Sequence, residues 1–300
     1  MSSDRIKWKI NTKDHKLVHF DEDSEKTWKG PFHFIQGADS QFGLIDRYIL
    51  KLPNPKWEKE IALCEEAVRK VNAIRPKPKF FVICGDLCDA VPVVSPELRK
   101  QQEETFAEIF SKVDKEIPVV CVCGNHDCGD QPTVQSVNQY RNSFGDDYFS
   151  FWVGGVLFIV INSQYYADGS LVEQLVAEQE LWIDEQLALS KNSKHGAILF
   201  QHIPWFLDDV EAKDLGYFAI PYDTRKRMLD KLVAGGVKYV FCGHYHRNSG
   251  GMYNGLEVIV TSAIGGQLGT DKSGFRIVKV NEEQVSHRYY GLEEVPKDVQ

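Results

Sequence analysis

The chain has 300 residues, 43% of them hydrophobic and 26% charged, with a formal net charge of -8. That is long enough for one large α/β domain or two small ones, and its acidic balance leaves no broad basic face for a nucleic-acid backbone. No apolar run reaches bilayer length, and the charged start Met1-Ser-Ser-Asp-Arg-Ile-Lys lacks the apolar core of a signal peptide, so neither nucleic acid nor membrane is expected as a partner.

Residues 1–30 are polar, with an acidic run at Asp21-Glu22-Asp23, and read as a loose lead-in to one domain over 31–292, with a tail at 293–300. After Gly30-Pro31, the apolar run Phe32 to Ile35 predicts a first strand. Trp57, Ile61, Cys64, Val68 and Val71 recur at helical spacing until Pro76 and Pro78. A buried strand over 80–84 follows, then an amphipathic helix from Pro96 to about Val113 and a strand over 119–123. Residues 148–162, broken by Gly154-Gly155, have the pattern of a hairpin. Helices are predicted over 171–190 and 223–234, and strands over 197–201 and 237–242. The basic triplet Arg225-Lys226-Arg227 reads as a solvated helix face. From Met252 onward the pattern is all β. Strands alternating with helices and then giving way to hairpins predict an α/β/β/α sandwich: two packed mixed sheets flanked by helices.

The seven cysteines, at 64, 84, 88, 121, 123, 128 and 242, form an odd set with no CxxC pair, and no Asn-x-Ser/Thr acceptor occurs. Both features point to free thiols and a reducing compartment, the cytosol. Most read as small buried fillers, while Cys88 and Cys128 fall inside polar loops where peroxide could reach them.

Those loops carry the chemistry. The strand ends lead into Gly37-Ala38-Asp39-Ser40-Gln41, Gly85-Asp86-Leu87-Cys88-Asp89, Gly124-Asn125-His126-Asp127, His202-Ile203-Pro204 and Gly243-His244-Tyr245-His246. Ligands collect beyond the carboxyl ends of strands in open α/β sheets. Any one of these loops could be an ordinary turn or a structural histidine. Together they offer carboxylate, amide and imidazole donors, a set that suits Mn, Fe, Zn or Mg.

This ordered succession resembles the calcineurin-like metallophosphoesterase superfamily. Residues 145–152 and 243–248 are similar to those of its animal cytosolic serine/threonine phosphatases, short forms without regulatory domains. The resemblance implies two divalent metal ions. Asp39, Asp86 and His246 would hold one, with Gln41 where the family usually has a second histidine; Asp86, Asn125, His202 and His244 would hold the other. It also implies a hydroxide held between the ions for in-line attack on phosphorus. His126 would be the general acid, oriented by Asp89. Ala90 stands where the large protein phosphatases carry an arginine, leaving Arg247, with Asn125, as the candidate substrate contact.

The expected substrate is a phosphoserine or phosphothreonine protein, and a monomer is expected. A phosphodiesterase or nucleotide pyrophosphatase on the same fold is the rival enzyme reading, and a non-catalytic metal-binding scaffold the reading from another class. Trp152, Tyr165, Tyr166, Trp205, Phe206, Tyr217 and Phe218 lie near the motifs and are read either as core or as a recognition rim.

Overall fold

The computed structural model describes residues 7–299; residues 1–6 and 300, the outermost parts of the expected lead-in and tail, lie outside the described residues. In chain order the strands are β1 (Thr12–Lys13), β2 (Lys16–Leu17), β3 (Phe32–Gly37), β4 (Phe81–Ile83), β5 (Val119–Cys121), β6 (Phe149–Val153), β7 (Val156–Val160), β8 (Ala197–Phe200), β9 (Val237–Cys242), β10 (Ser249–Tyr253), β11 (Leu256–Val260), β12 (Gly274–Val280) and β13 (Val285–Gly291). The helices are α1 (Glu22–Glu25), α2 (Glu58–Ala73), α3 (Pro96–Phe110), α4 (Asn125–Cys128), α5 (Val134–Phe144), α6 (Gln164–Asp168), α7 (Glu173–Ser190) and α8 (Tyr222–Ala234).

Two mixed sheets result. One has the order β13-β12-β3-β4-β5 and the other β1-β2-β6-β7-β8-β9-β11-β10. Strand alternation explains how they stack. Around β4, Phe80, Val82 and Cys84 join one apolar cluster while Phe81 and Ile83 join another. Along β7, Phe158 and Val160 face the same central cluster and Leu157 and Ile159 face a third. Side chains on a strand point alternately to opposite faces, so near-continuous apolar runs mark strands covered on both sides. The central cluster is a seam of phenylalanines: Phe34 stacks on Phe80 with centroids 4.6 Å apart, and Phe80 meets Phe158 edge-on at 5.0 Å. Residues of α2, α3 and α5 cover the outer face of the five-stranded sheet, and those of α7 and α8 cover the other. The architecture is the four-layer α/β/β/α sandwich.

Two local expectations are corrected, and one helix is added. The described part of the lead-in, residues 7–30, is not loose: β1 and β2 pair, β2 extends the larger sheet beside β6, and Asp21 caps α1. Arg225 is not solvated but only 1% exposed, and it donates to the Ala212 carbonyl; Lys226 and Arg227 remain outside, on Glu211 and Glu180. Helix α5 was not predicted, because a polar run separates its buried Val137, Tyr140 and Phe144.

Candidate metal centre

The pairs β3–β4, β4–β5 and β8–β9 are parallel, so these five strands deliver their following loops to one end of the sandwich. The loops are strained there. Asp39, Gln41, Asp86, His244 and His246 have φ of 53°, 30°, 47°, 69° and 52°, a left-handed region uncommon for residues with side chains and concentrated at functional sites. The adjoining glycines permit close approach: a β-carbon on Gly85 would stand 2.3 Å from the His202 ring, and one on Gly124 would stand 2.1 Å from the Asp86 nitrogen.

Two buried groups of donors emerge, Asp39-Asp86-His246 and Asp86-His202-His244, each with ligand atoms within 4.8 Å of one another. Asp86 belongs to both. Asn125 joins the second group, its Oδ1 lying 3.0 Å from His202 Nε2. Gln41 lies beside the first: its Nε2 donates to Asp89 Oδ1 at 3.3 Å, and its buried Oε1 has no partner.

The imidazoles are aimed from behind. His202 Nδ1 lies 2.8 Å from the Cys84 carbonyl, His244 Nε2 2.9 Å from the Tyr217 carbonyl, and His246 Nδ1 against the Gly266 carbonyl. A carbonyl can only accept, so each of these nitrogens carries hydrogen and the other faces the carboxylates. His202 Nε2 and His244 Nδ1 therefore face each other at 3.1 Å. Two lone pairs at that distance require a proton or a cation between them. With the orphaned Gln41 oxygen, this makes the donor set fit divalent ions.

The charges agree. Burial raises Asp86, but His202 and His126 reverse that and hold it well below the carboxylate range. Burial lowers His202, yet Asp86 more than compensates and lifts it to about 10. Burial and His202 together push His244 down to about 3. His246, lowered by burial, is raised overall by Asp39.

His126 stands at the edge of the donor groups. Its backbone N–H donates to Asp86 Oδ1 at 2.8 Å and its Nδ1 to the Asp89 carbonyl at 2.6 Å. The Asp89 carboxylate is farther, at 3.5 Å, so Asp89 meets the ring mainly through its main-chain carbonyl. Burial lowers the His126 pKa, and Asp86 and Asp89 raise it above the ordinary value.

Arg247 is spent elsewhere. Its Nε and Nη2 both donate to the Leu268 carbonyl, and its guanidinium lies over Tyr245. Asn125 likewise has both amide hydrogens engaged, by Asp130 at 2.7 Å and the Tyr217 hydroxyl at 2.6 Å. Of the seven aromatics near the motifs, Trp152, Tyr165, Tyr166, Trp205 and Phe206 are core, while Tyr217 is exposed and Phe218 partly buried. Cys88 and Cys128 are fully buried, and burial pushes the Cys88 thiol well up, so access for peroxide is lost.

Several supporting residues have no local signature. Asp127 accepts from Gly124 N at 2.8 Å and Leu87 N at 3.2 Å, tying two motif loops together, and pairs with buried Arg99 at 3.0 Å. Arg99, Gln102 and Phe106 share a buried helix face, the one pattern that could have exposed this role. Arg47 and Tyr217 reach the motifs from 42 and 92 residues away, while Asp130 lies just beyond the Asn125–Cys128 turn.

The sequence model of the calcineurin-like phosphoesterases matches residues 56–248. The chain belongs to that family. This phosphoesterase is 48% identical over 284 residues to the serine/threonine-protein phosphatase CPPED1 of Homo sapiens, covering 93% of this chain and 90% of that protein. It is 41% identical to the Danio rerio form, over 95% and 93% of the two chains. A dimetal phosphatase from Danio rerio shares the fold at TM-score 0.63 and 16% identity, over 88% of this chain and 97% of that one. A purple acid phosphatase from yellow lupin does so at TM-score 0.62 and 13% identity, over 89% and 52%. The protein is a metallophosphoesterase of the calcineurin-like fold, and its family implies divalent metal ions. Among the described residues, no helix is long and apolar enough to cross a membrane.

Proposed function

We propose that this metallophosphoesterase removes phosphate from phosphoserine and phosphothreonine in proteins. The observation that carries the substrate class is the 48% identity, over nearly the full length of both chains, to a serine/threonine-protein phosphatase. In this reading residues 31–292 form one catalytic domain. Asp39, Gln41, Asp86 and His246 hold one divalent ion, and Asp86, Asn125, His202 and His244 hold the other. Manganese, iron, zinc or magnesium would suit the mixed oxygen and imidazole donors. The seven unpaired cysteines favour the cytosol.

When bound, two such ions neutralise phosphoryl charge and acidify water. The chain's own residues do the rest. Asp86, common to both donor groups, would serve both ions, and its Oδ1 also accepts from the His126 main-chain N–H. The Asp89 carbonyl holds His126 Nδ1–H, and Nε2 has no partner among the described residues. Burial lowers its pKa and the Asp86 and Asp89 charges raise it overall; in this reading the protonated imidazole gives its Nε2 proton to the departing serine oxygen. An alkoxide is a poor leaving group, so that proton should contribute about 10²–10⁴-fold.

His126→Ala tests this directly. The variant should keep its metal content but lose about 10²–10⁴-fold on a phosphoserine peptide, and less on p-nitrophenyl phosphate, whose leaving group hardly needs a proton. An equal loss on both substrates would remove His126 from the acid role. Faster wild-type turnover of bis-p-nitrophenyl phosphate or ADP-ribose than of the peptide would favour the diesterase or pyrophosphatase reading. A metal-loaded wild type inert to all three would be a scaffold.

A further inference from the structure

Ala90, just after the Gly85–Asp89 motif, offers no charge to a phosphate, and Arg247 is occupied. A different arginine stands at the general-acid end of the site. After the strained turn at Asp39 and Gln41, residues Ile45–Ile49 form a π-helical turn. Such turns are rare and cluster at functional sites. This one is pinned at its base, where Glu60 Oε1 accepts from Gly43 N at 3.1 Å and Ile45 N at 2.8 Å.

The turn carries Arg47 and Tyr48 to the His126–Asp89 pair. Arg47 Nη1 lies 3.3 Å from Asp89 Oδ2, longer than a strong charge-assisted bond. Its guanidinium is 5.0 Å from the Tyr48 ring centroid, and that ring meets His126 edge-on at 6.3 Å. The Arg47 side chain is 44% exposed, and among the described residues Nε and Nη2 have no hydrogen-bond partner. Arg99, a further guanidinium near these loops, is buried and bonded to Glu103, Asp127 and two carbonyls. Among the described residues, Arg47 is the arginine that combines unpartnered donors with a place beside the proton donor.

We propose that Arg47 grips the non-bridging oxygens of a phosphomonoester and makes the site selective for monoesters over diesters. This rests on the phosphatase reading above. A monoester carries a charge of about -1.5 to -2 near neutrality, whereas a diester carries a single charge and offers fewer free oxygens. A guanidinium fork suits the former, and lysine, a point charge, reproduces only part of that grip. The contact with Asp89 holds the side chain beside His126.

The test compares metal-loaded wild type, Arg47→Gln and Arg47→Lys on p-nitrophenyl phosphate and bis-p-nitrophenyl phosphate, with inhibition by inorganic phosphate measured separately. Arg47→Gln should lower kcat/KM for the monoester by about 10–100-fold and weaken phosphate inhibition comparably, while the diester falls by less than about threefold. Bound metal should be unchanged, and Arg47→Lys should recover part of the loss. Parallel losses on both esters, or unaltered phosphate inhibition, would reduce Arg47 to a latch on Asp89 and overturn the proposal. A wild type that binds phosphate but turns over neither ester would instead overturn the phosphatase reading; weaker phosphate binding in Arg47→Gln would still support the grip.

Discussion

On the Asn125 side of Asp86, each proposed ligand is held by a second group. His202 is fixed by the Cys84 carbonyl, His244 by the Tyr217 carbonyl, and Asn125 by both Asp130 and the Tyr217 hydroxyl. On the Asp39 side the support is uneven. His246 rests on the Gly266 carbonyl and Asp39 accepts the His244 main-chain N–H at 3.0 Å, but Gln41 has only a 3.3 Å contact to Asp89 and an unpartnered oxygen. Outer partners set ligand orientation and commonly change metal affinity about 10–100-fold when removed. The two half-sites, built from the same strand ends, should therefore differ in affinity, with the Asn125 side the tighter.

Asp86 is where the comparison collapses, because both halves use its carboxylate. Asp86→Asn should abolish turnover and strip metal from both sides while circular dichroism stays native. A variant that retained both ions by elemental analysis would break the shared-ligand reading. The next effect should be one-sided. Tyr217 is exposed, yet it supports two ligands, one through its hydroxyl and one through its main chain. Tyr217→Phe removes only the hydroxyl, so it should weaken the Asn125-side ion by about tenfold, at the lower end for an outer partner. The Asp39-side ion should be unaffected. Equal weakening of both ions would mean that the halves are not separately supported.

That asymmetry was only half legible in the sequence. The candidate donors were, because their loops follow buried apolar runs and most contain a glycine, a local signal. The central strands were too, since both faces of the sheets are covered and periodicity gives way to continuous apolarity, whereas the short polar β1 and β2 were not. The groups behind the ligands were not. Tyr217 lies 92 residues from Asn125, and the motif carbonyls are backbone atoms that no residue type announces. Arg225 and Arg99 look like surface charges until the fold buries them. Helix α5 was hidden because Gln135, Ser136, Asn138 and Gln139 dilute its apolar face, although Val137, Tyr140 and Phe144 keep helical spacing.

Proton release offers a third, smaller handle. In the ion-free protein Asp86 lifts His202, against burial, to about 10. Metal needs the neutral imidazole, so loading the Asn125 side must expel that proton. Apparent affinity there should rise by about tenfold per pH unit between roughly 7 and 9. Calorimetry in buffers of different ionisation enthalpy would count the protons, and a flat affinity over that range would exclude a protonated His202. Stability runs the other way without metal. A raised histidine pKa contributes fully below the unfolded value of about 6.5, and the contribution fades as pH climbs towards 10.

The smallest expected effect is at Gln41, and it tests the weaker half alone. Its Oε1 is buried without a partner, an arrangement that costs free energy unless something positive lies against it. An amide oxygen is a poorer ligand than imidazole for first-row divalent ions. If Oε1 faces the Asp39-side ion, that ion should be partly occupied after purification, and activity should rise on adding Mn²⁺ or Mg²⁺. The backbone at φ 30° is no obstacle to histidine, which tolerates the left-handed region better than most residues. Gln41→His should then tighten the Asp39-side ion, on the order of three- to tenfold, and reduce the stimulation by added metal. Gln41→Ala should loosen the same ion and leave the Asn125 side unchanged. Calorimetric titration of the ion-free proteins resolves the two binding events. If wild type, Gln41→His and Gln41→Ala bind the weaker ion equally well, Gln41 serves only to brace Asp89, and the asymmetry between the halves must come from the Tyr217 grip.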